Sequence, residues 1–165
     1  MIRSAAAACA ASLLALGASA QEAAEAQIVA TGWTLSCRAD AADAAPLCEA
    51  AQTLALRETG RTFASVVIGP AGDGSTALVL RAQLPHGLDI PAGVGLLVDG
   101  REAARLEVRT SGPAGLFART ALTAELRAAL AAGEALSLSF ATLDGGRAQA
   151  PMPLAGFAAL AAKLD

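Results

Sequence analysis

The chain has no tyrosine, one tryptophan, four phenylalanines and one histidine in 165 residues. So few aromatic rings leave little material for the stacked clamps that hold sugars, bases or nucleotides. The single histidine, His86, has no ligand-spaced partner, which argues against an imidazole-based metal centre. Lysine and arginine number 12 against 15 acidic residues, and no basic run is interleaved with aromatics. Nucleic acid is therefore not an expected partner. Cysteine is scarce, at three residues, and no Cys-x-x-Cys pair is present, which excludes the usual redox dithiol. Beyond the first residues no apolar run approaches the roughly 20 residues of a membrane-spanning helix. No motif calls for a metal or a cofactor, and none is expected.

What is present starts with an export segment. Residues 1–20 carry one charge, Arg3, then an apolar stretch from Ala5 to Leu16 in which Leu13, Leu14 and Leu16 are strongest. Ala18-Ser19-Ala20 follows as a small-x-small cleavage site. Cleavage there makes Gln21 the mature N-terminus and removes Cys9. Residues 21–31 read as a flexible mature terminus and residues 32–165 as a single domain, long enough to bury a sizeable core. Two cysteines then remain, Cys37 and Cys48. An even number of cysteines in an oxidising compartment is expected to pair. In the chain-entropy picture a bridge over so short a loop contributes roughly 3 kcal/mol.

The rest of the chain is patterned mainly for strands. Trp33, Leu35 and Cys37 share one side of a period-2 segment. Ala64, Val66 and Ile68 form a second inward set, and Leu78, Leu80, Ala82 and Leu84 a third. Ala104, Leu106 and Val108 alternate with Arg105, Glu107 and Arg109, and Leu136, Leu138 and Phe140 alternate with serines. Repeated alternation describes antiparallel sheets with one packed and one wet face. Asp99-Gly100 marks a tight hairpin turn. The glycine-rich stretch from Gly69 to Gly74 and Asp144-Gly145-Gly146 mark longer connections. Strands at this spacing predict a sandwich or barrel. Thr123 is a helix N-cap ahead of Leu126, Ala129 and Leu130, with Gly133 as the stop. A second helix is expected over Leu154 to Leu164, with Leu154, Phe157, Ala161 and Leu164 on one stripe. Both are too short to be stable unless docked on the sheets.

In this order the elements resemble the invasion-associated locus B family of exported bacterial proteins, from about Gly32 to Leu160. The resemblance rests on Gly32-Trp33-Thr34-Leu35-Ser36-Cys37 followed by Cys48. It rests also on Leu84-Pro85-His86-Gly87-Leu88-Asp89-Ile90-Pro91-Ala92-Gly93-Val94 running into Leu97-Val98-Asp99-Gly100, and on Met152-Pro153-Leu154-Ala155-Gly156-Phe157. It implies a mainly β, immunoglobulin-like antiparallel β-sandwich with one or two short peripheral helices. It also implies a periplasmic, surface-associated or secreted location. The family carries a second cysteine pair in a stretch that here reads Thr110 to Ala118. Ser111 and Leu116 stand where those cysteines would be, so the resemblance implies a lost second disulfide.

No catalytic constellation is recognisable. His86 is the one conventional base near neutral pH. Asp89 lies close to it, but Ser75 and Ser111 sit in no nucleophile motif, and His86 reads as an exposed loop histidine. Asp40, Asp43 and Glu49 cluster around the cysteine loop without the spacing of a calcium loop, and read as a solvated acidic rim. Arg105, Glu107 and Arg109 read as an ordinary wet sheet face. Trp33, Leu97, Leu116 and Phe117 read as core. The function expected is that of a non-enzymatic exported protein acting through protein contacts in the envelope or on a host cell. A small-ligand or envelope-polymer binder is the alternative, and a hydrolase using His86 the third reading.

Overall fold

Alternation of apolar and polar side chains turns into strands along most of the chain. A computed structural model describes residues 27–39, 46–72 and 74–164. The expected export segment with Cys9 and Gln21 lies outside the described residues, as do Asp40 and Asp43. The elements run β1 (Ile28–Ala30), β2 (Thr34–Arg38), β3 (Leu47–Leu56), β4 (Thr62–Pro70), β5 (Leu78–Leu84), a 3-10 turn (Ile90–Ala92), β6 (Val94–Val98), β7 (Arg101–Gly112) and β8 (Gly115–Ala121). They continue with α1 (Ala124–Ala132), β9 (Ala135–Ala141), β10 (Arg147–Pro153) and α2 (Phe157–Ala161).

All pairings are antiparallel. The strands follow the path β1-β3-β4-β5-β8-β7-β6-β9-β10, and β2 joins β3 beside β1. β1 takes Leu54 to Leu56 of β3, and β2 takes Leu47 to Ala51. The twelve-residue β7 serves two walls. Its first half pairs with β6 and its second half with β8, and each pairing contains a register shift. Such bulges bend a strand and raise its twist. Trp33 Nε1 donates to Pro153 O at 2.9 Å, joining the chain just before β2 to the far edge at β10. The result is a mainly β, nearly closed barrel-like antiparallel sheet with two short helices.

The inward sets fill one core. Ala64, Val66, Ile68, Leu80, Leu84, Leu136 and Leu138 are completely buried. Each leucine contributes about 2 kcal/mol by leaving water. Asp99 (φ 49°) and Gly100 (φ 78°) form the expected β6–β7 hairpin turn. Asp99 Oδ1 also accepts from the backbone N–H of Glu134 and Ala135, tying the turn to the start of β9.

Thr123 caps α1 as expected, its Oγ1 accepting from Leu126 N at 3.2 Å. Gly133 does follow the helix, but with φ −80° rather than a left-handed stop. A Cβ there would lie 2.4 Å from Val98 Cγ1, so the glycine provides space. The second helix is shorter than expected, at five residues. The stripe holds: Leu154, Phe157, Ala161 and Leu164 are all buried.

Cys37 and Cys48 are joined, and they face one another directly across β2 and β3 with Cα atoms 4.0 Å apart. The stretch from Thr110 to Ala118 is largely a hairpin. β7 runs to Gly112, Pro113 and Ala114 turn, and β8 starts at Gly115. Ser111 and Leu116 are direct register partners across that hairpin. At the β9–β10 turn, Thr142 Oγ1 and Gly146 N donate to Asp144 Oδ1 and hold its carboxyl below the usual aspartate range.

Candidate functional site

Residues that are direct partners across neighbouring strands place their side chains on the same face. On the outer face of the first wall one such row reads Ala51 on β3, Val67 on β4, Arg81 on β5, Arg119 on β8 and Glu107 on β7. A second row reads Thr53, Ser65, Gln83, Phe117 and Thr110. Arg109 is the bulged residue of β7, lying between the pairs made by Val108 and Thr110. The rows enclose a solvent-open hollow of about 640 Å³ that Arg38 of β2 also lines. Four guanidinium groups (Arg38, Arg81, Arg109 and Arg119) and one carboxylate (Glu49) line it.

Two of the arginines are held by carboxylates. Arg81 Nη2 donates to Glu49 Oε1 at 2.5 Å, with both side chains about one-third exposed. Glu49 reaches Arg81 across β4 because Gly69 lies beneath it. A Cβ at Gly69 would stand 2.6 Å from Glu49 Cγ. Gly69 is thus part of β4 and makes room for an ion pair, where the sequence reading took it as the start of a loop. Arg109 Nη1 donates to Glu107 Oε1 at 2.8 Å. Gln83 Nε2 donates to Ala114 O at 2.7 Å and anchors the β7–β8 turn to the rim.

Arg119 and Arg38 are different. Among the described residues neither side chain makes a hydrogen bond or an ion pair. Arg119 stands directly opposite Arg81. Like charges in that relation cost stability. Its other neighbour in the row is Glu107, but that carboxylate turns to Arg109. Phe117 stands at the edge of the hollow, 36% exposed. A second, smaller hollow of about 100 Å³ shares Arg38, Glu49 and Arg81 and adds Ser36, Leu47 and Pro70. The two form a groove running from the β7–β8 hairpin to the β2–β3 hairpin, with the Arg81–Glu49 pair as the wall between them.

The residues singled out from sequence fall in different places. His86 is exposed and makes no hydrogen bond or ion pair among the described residues. Ser111 is exposed on β7, and Ser75 Oγ accepts from Ala77 N. Glu49, expected on a solvated rim, is engaged with Arg81. Arg105, Glu107 and Arg109 do not act together. Arg105 pairs with Glu102, three residues back on β7, while Arg109 lines the hollow and Glu107 pairs with it from beside the hollow. Leu116 is buried as expected, but Phe117 is not. Trp33, expected as a core residue, is half-buried and packs against the core, its ring centroid 4.8 Å from that of Phe157. No group of three potential metal-ligating side chains occurs among the described residues. Sequence reading missed Arg38, Arg81 and Arg119. Arg81 was visible as an outward residue of its strand, but the convergence was not.

No curated protein matches the chain by sequence. The family model described as invasion associated locus B (IalB) protein matches residues 33–165. Among solved structures the chain is similar to the crystal structure of invasion associated protein B from Bartonella henselae. That match has a TM-score of 0.68 and 21% identity, and covers 80% of this chain and 89% of that one. At this identity the likeness is one of fold.

Proposed function

The chain belongs to the invasion associated locus B family, and from that premise we propose that it is a non-enzymatic exported protein working through protein contacts. The contacts are made in the periplasm or at the host-cell interface. The observation that carries the proposal is Arg119. It lies on a concave, solvent-open face, opposite another arginine and with no carboxylate of its own. A chain that retains such a cost on an open face, while bearing net charge −3 overall, has a use for that charge beyond folding. Support for export comes from residues 1–20, read as a cleaved signal. Of the 21–31 stretch expected as a flexible terminus, Ile28–Ala30 is instead β1, paired with β3 because Thr31 and the backbone of Leu54 to Leu56 hold it. The disulfide fits an oxidising compartment. Among the described residues no helix is long and apolar enough to cross a membrane. The two walls joined through β7 are read here as an immunoglobulin-like sandwich, following the family resemblance.

A photo-crosslinking residue in place of Phe117 tests the docking face. In envelope extracts it is expected to give discrete protein adducts that are absent when the crosslinker replaces Leu143, which is 77% exposed on the β9–β10 turn. Identical adduct patterns from both positions would sink the proposal. A small-ligand or envelope-polymer binder is the second reading. The volume of about 640 Å³ favours it, since small-molecule sites span roughly 300–1,000 Å³.

We also read Ser111 and Leu116 as the seats of a lost cysteine pair. They hold the same direct cross-strand relation as Cys37 and Cys48. The double variant Ser111→Cys, Leu116→Cys is expected to oxidise to a species lighter by two more hydrogens in unreduced mass spectrometry. Two alkylatable thiols after mild oxidation would count against this reading.

A further inference from the structure

We infer that the groove on the outer face of β2, β3, β4, β5, β8 and β7 takes an extended, acidic protein segment whose carboxylates pair with Arg119 and Arg38. The inference rests on the reading of this face as a docking surface and names the chemistry that it recognises. Three observations carry it.

The first is charge. Within the groove, carboxylates already neutralise two of the four guanidinium groups, Arg81 through Glu49 and Arg109 through Glu107. Arg119 and Arg38 have no such partner among the described residues. A guanidinium presents a planar fork of donors that matches a carboxylate in bidentate fashion. The second is the company these arginines keep. Glu49 and Glu107 stay in or beside the groove, and they repel a dianionic phosphate more strongly than a single carboxylate. The face therefore suits singly charged groups spaced along a chain rather than one compact polyanion. The third is shape. The two hollows together cross six strands, about 24 Å at the usual strand spacing, so about seven residues of extended chain span them by passing over the Arg81–Glu49 pair. Val67 and Phe117 offer apolar surface between the arginines, as needed for the uncharged residues that alternate with acidic ones along an extended segment.

The test is calorimetric titration of the full mature protein with a capped octapeptide of alternating glutamate and valine. Saturable binding is expected, weakening as salt rises from about 50 to 300 mM. A peptide with glutamine for glutamate is expected to be silent. Arg119→Glu and Arg38→Glu are each expected to weaken binding about tenfold. Arg105→Gln, which alters the pair with Glu102 away from the groove, is expected to leave it unchanged. Both groove arginines are exposed, so the variants should keep the wild-type circular dichroism. Equal affinity for the glutamate and glutamine peptides, or unchanged affinity in both arginine variants, would overturn the inference. So would binding of inorganic pyrophosphate or of phosphatidylglycerol vesicles without binding of the peptide. If Phe117 crosslinks specifically while the acidic peptide fails to bind, the docking face stands and the acidic partner is wrong.

Discussion

Replacing Phe157 by alanine is expected to lower stability by about 3–5 kcal/mol, the usual range for a large aromatic removed from a core. Phe157 is fully buried and opens α2. A five-residue helix has no stability of its own and is held by what it buries. The ring also supports Trp33, with ring centroids 4.8 Å apart and planes tilted by 51°. Trp33 in turn donates to Pro153 O and ties one edge of the sheet to the other. The substitution thus opens a cavity and loosens the link that nearly closes the barrel. Trp33 is the only tryptophan in the chain, so its fluorescence reports directly on this contact. The variant is expected to unfold at about 2 M less urea with an unchanged slope, and its native-state emission should shift to the red. A loss under about 1 kcal/mol with unchanged emission would show that Phe157 does not seat Trp33.

Gly115→Ala is expected to cost about 4 kcal/mol, by a different route. Gly115 opens β8 with φ +134°, and a Cβ there would stand 2.1 Å from Leu84 O. The obstacle is the backbone of β5 at the Leu84↔Leu116 pairing, so no side-chain rotation relieves it. Gly145→Ala separates the two causes. Gly145 also has positive φ, +84°, but nothing lies within 4 Å of its Cβ position. Its cost is expected to be about 1 kcal/mol, the conformational part alone. Similar urea midpoints for the two variants would show that β5 yields at Leu84 more easily than its register implies.

The sequence was most legible where the two faces of a strand differ in character. Val66 and Ile68, Leu80 and Leu84, and Leu136 and Leu138 alternate with polar or smaller residues, and all of them are inward. β3 escaped because its faces look alike. Alanine occupies both, at Ala50 inward and at Ala51 and Ala55 outward, and Gln52 sits inward at 2% exposure. Gln52 Nε2 donates to Thr31 O at 2.8 Å, which offsets part of the cost of burying it. β10 escaped because Pro151 and Pro153 read as strand breakers, although proline is tolerated on an edge strand. α2 was overestimated because an apolar stripe records which residues are buried, not where the backbone leaves the helix. The groove was illegible for a topological reason. Arg81, Arg119 and Arg109 lie on β5, β8 and β7, and β5 and β8 are neighbours in the sheet but not in the chain. Alternation says which way a side chain points, and only register says which side chains meet. Glu49 is conspicuous in the sequence as part of an acidic rim, but its pairing with Arg81 depends on the register of β3 and so stays hidden with that strand.

β7 hydrogen-bonds to β6 with its first half and to β8 with its second. The walls therefore share a covalent strand as well as a core, and no seam separates them. Strand pairs that open independently exchange their amide protons with different protection, each set by its own local opening energy. Here the most protected amides of β4 and β5 and those of β6 and β9 should report a single opening free energy. The arginine groove, built on β5, β8 and β7, is then as rigid as the domain itself.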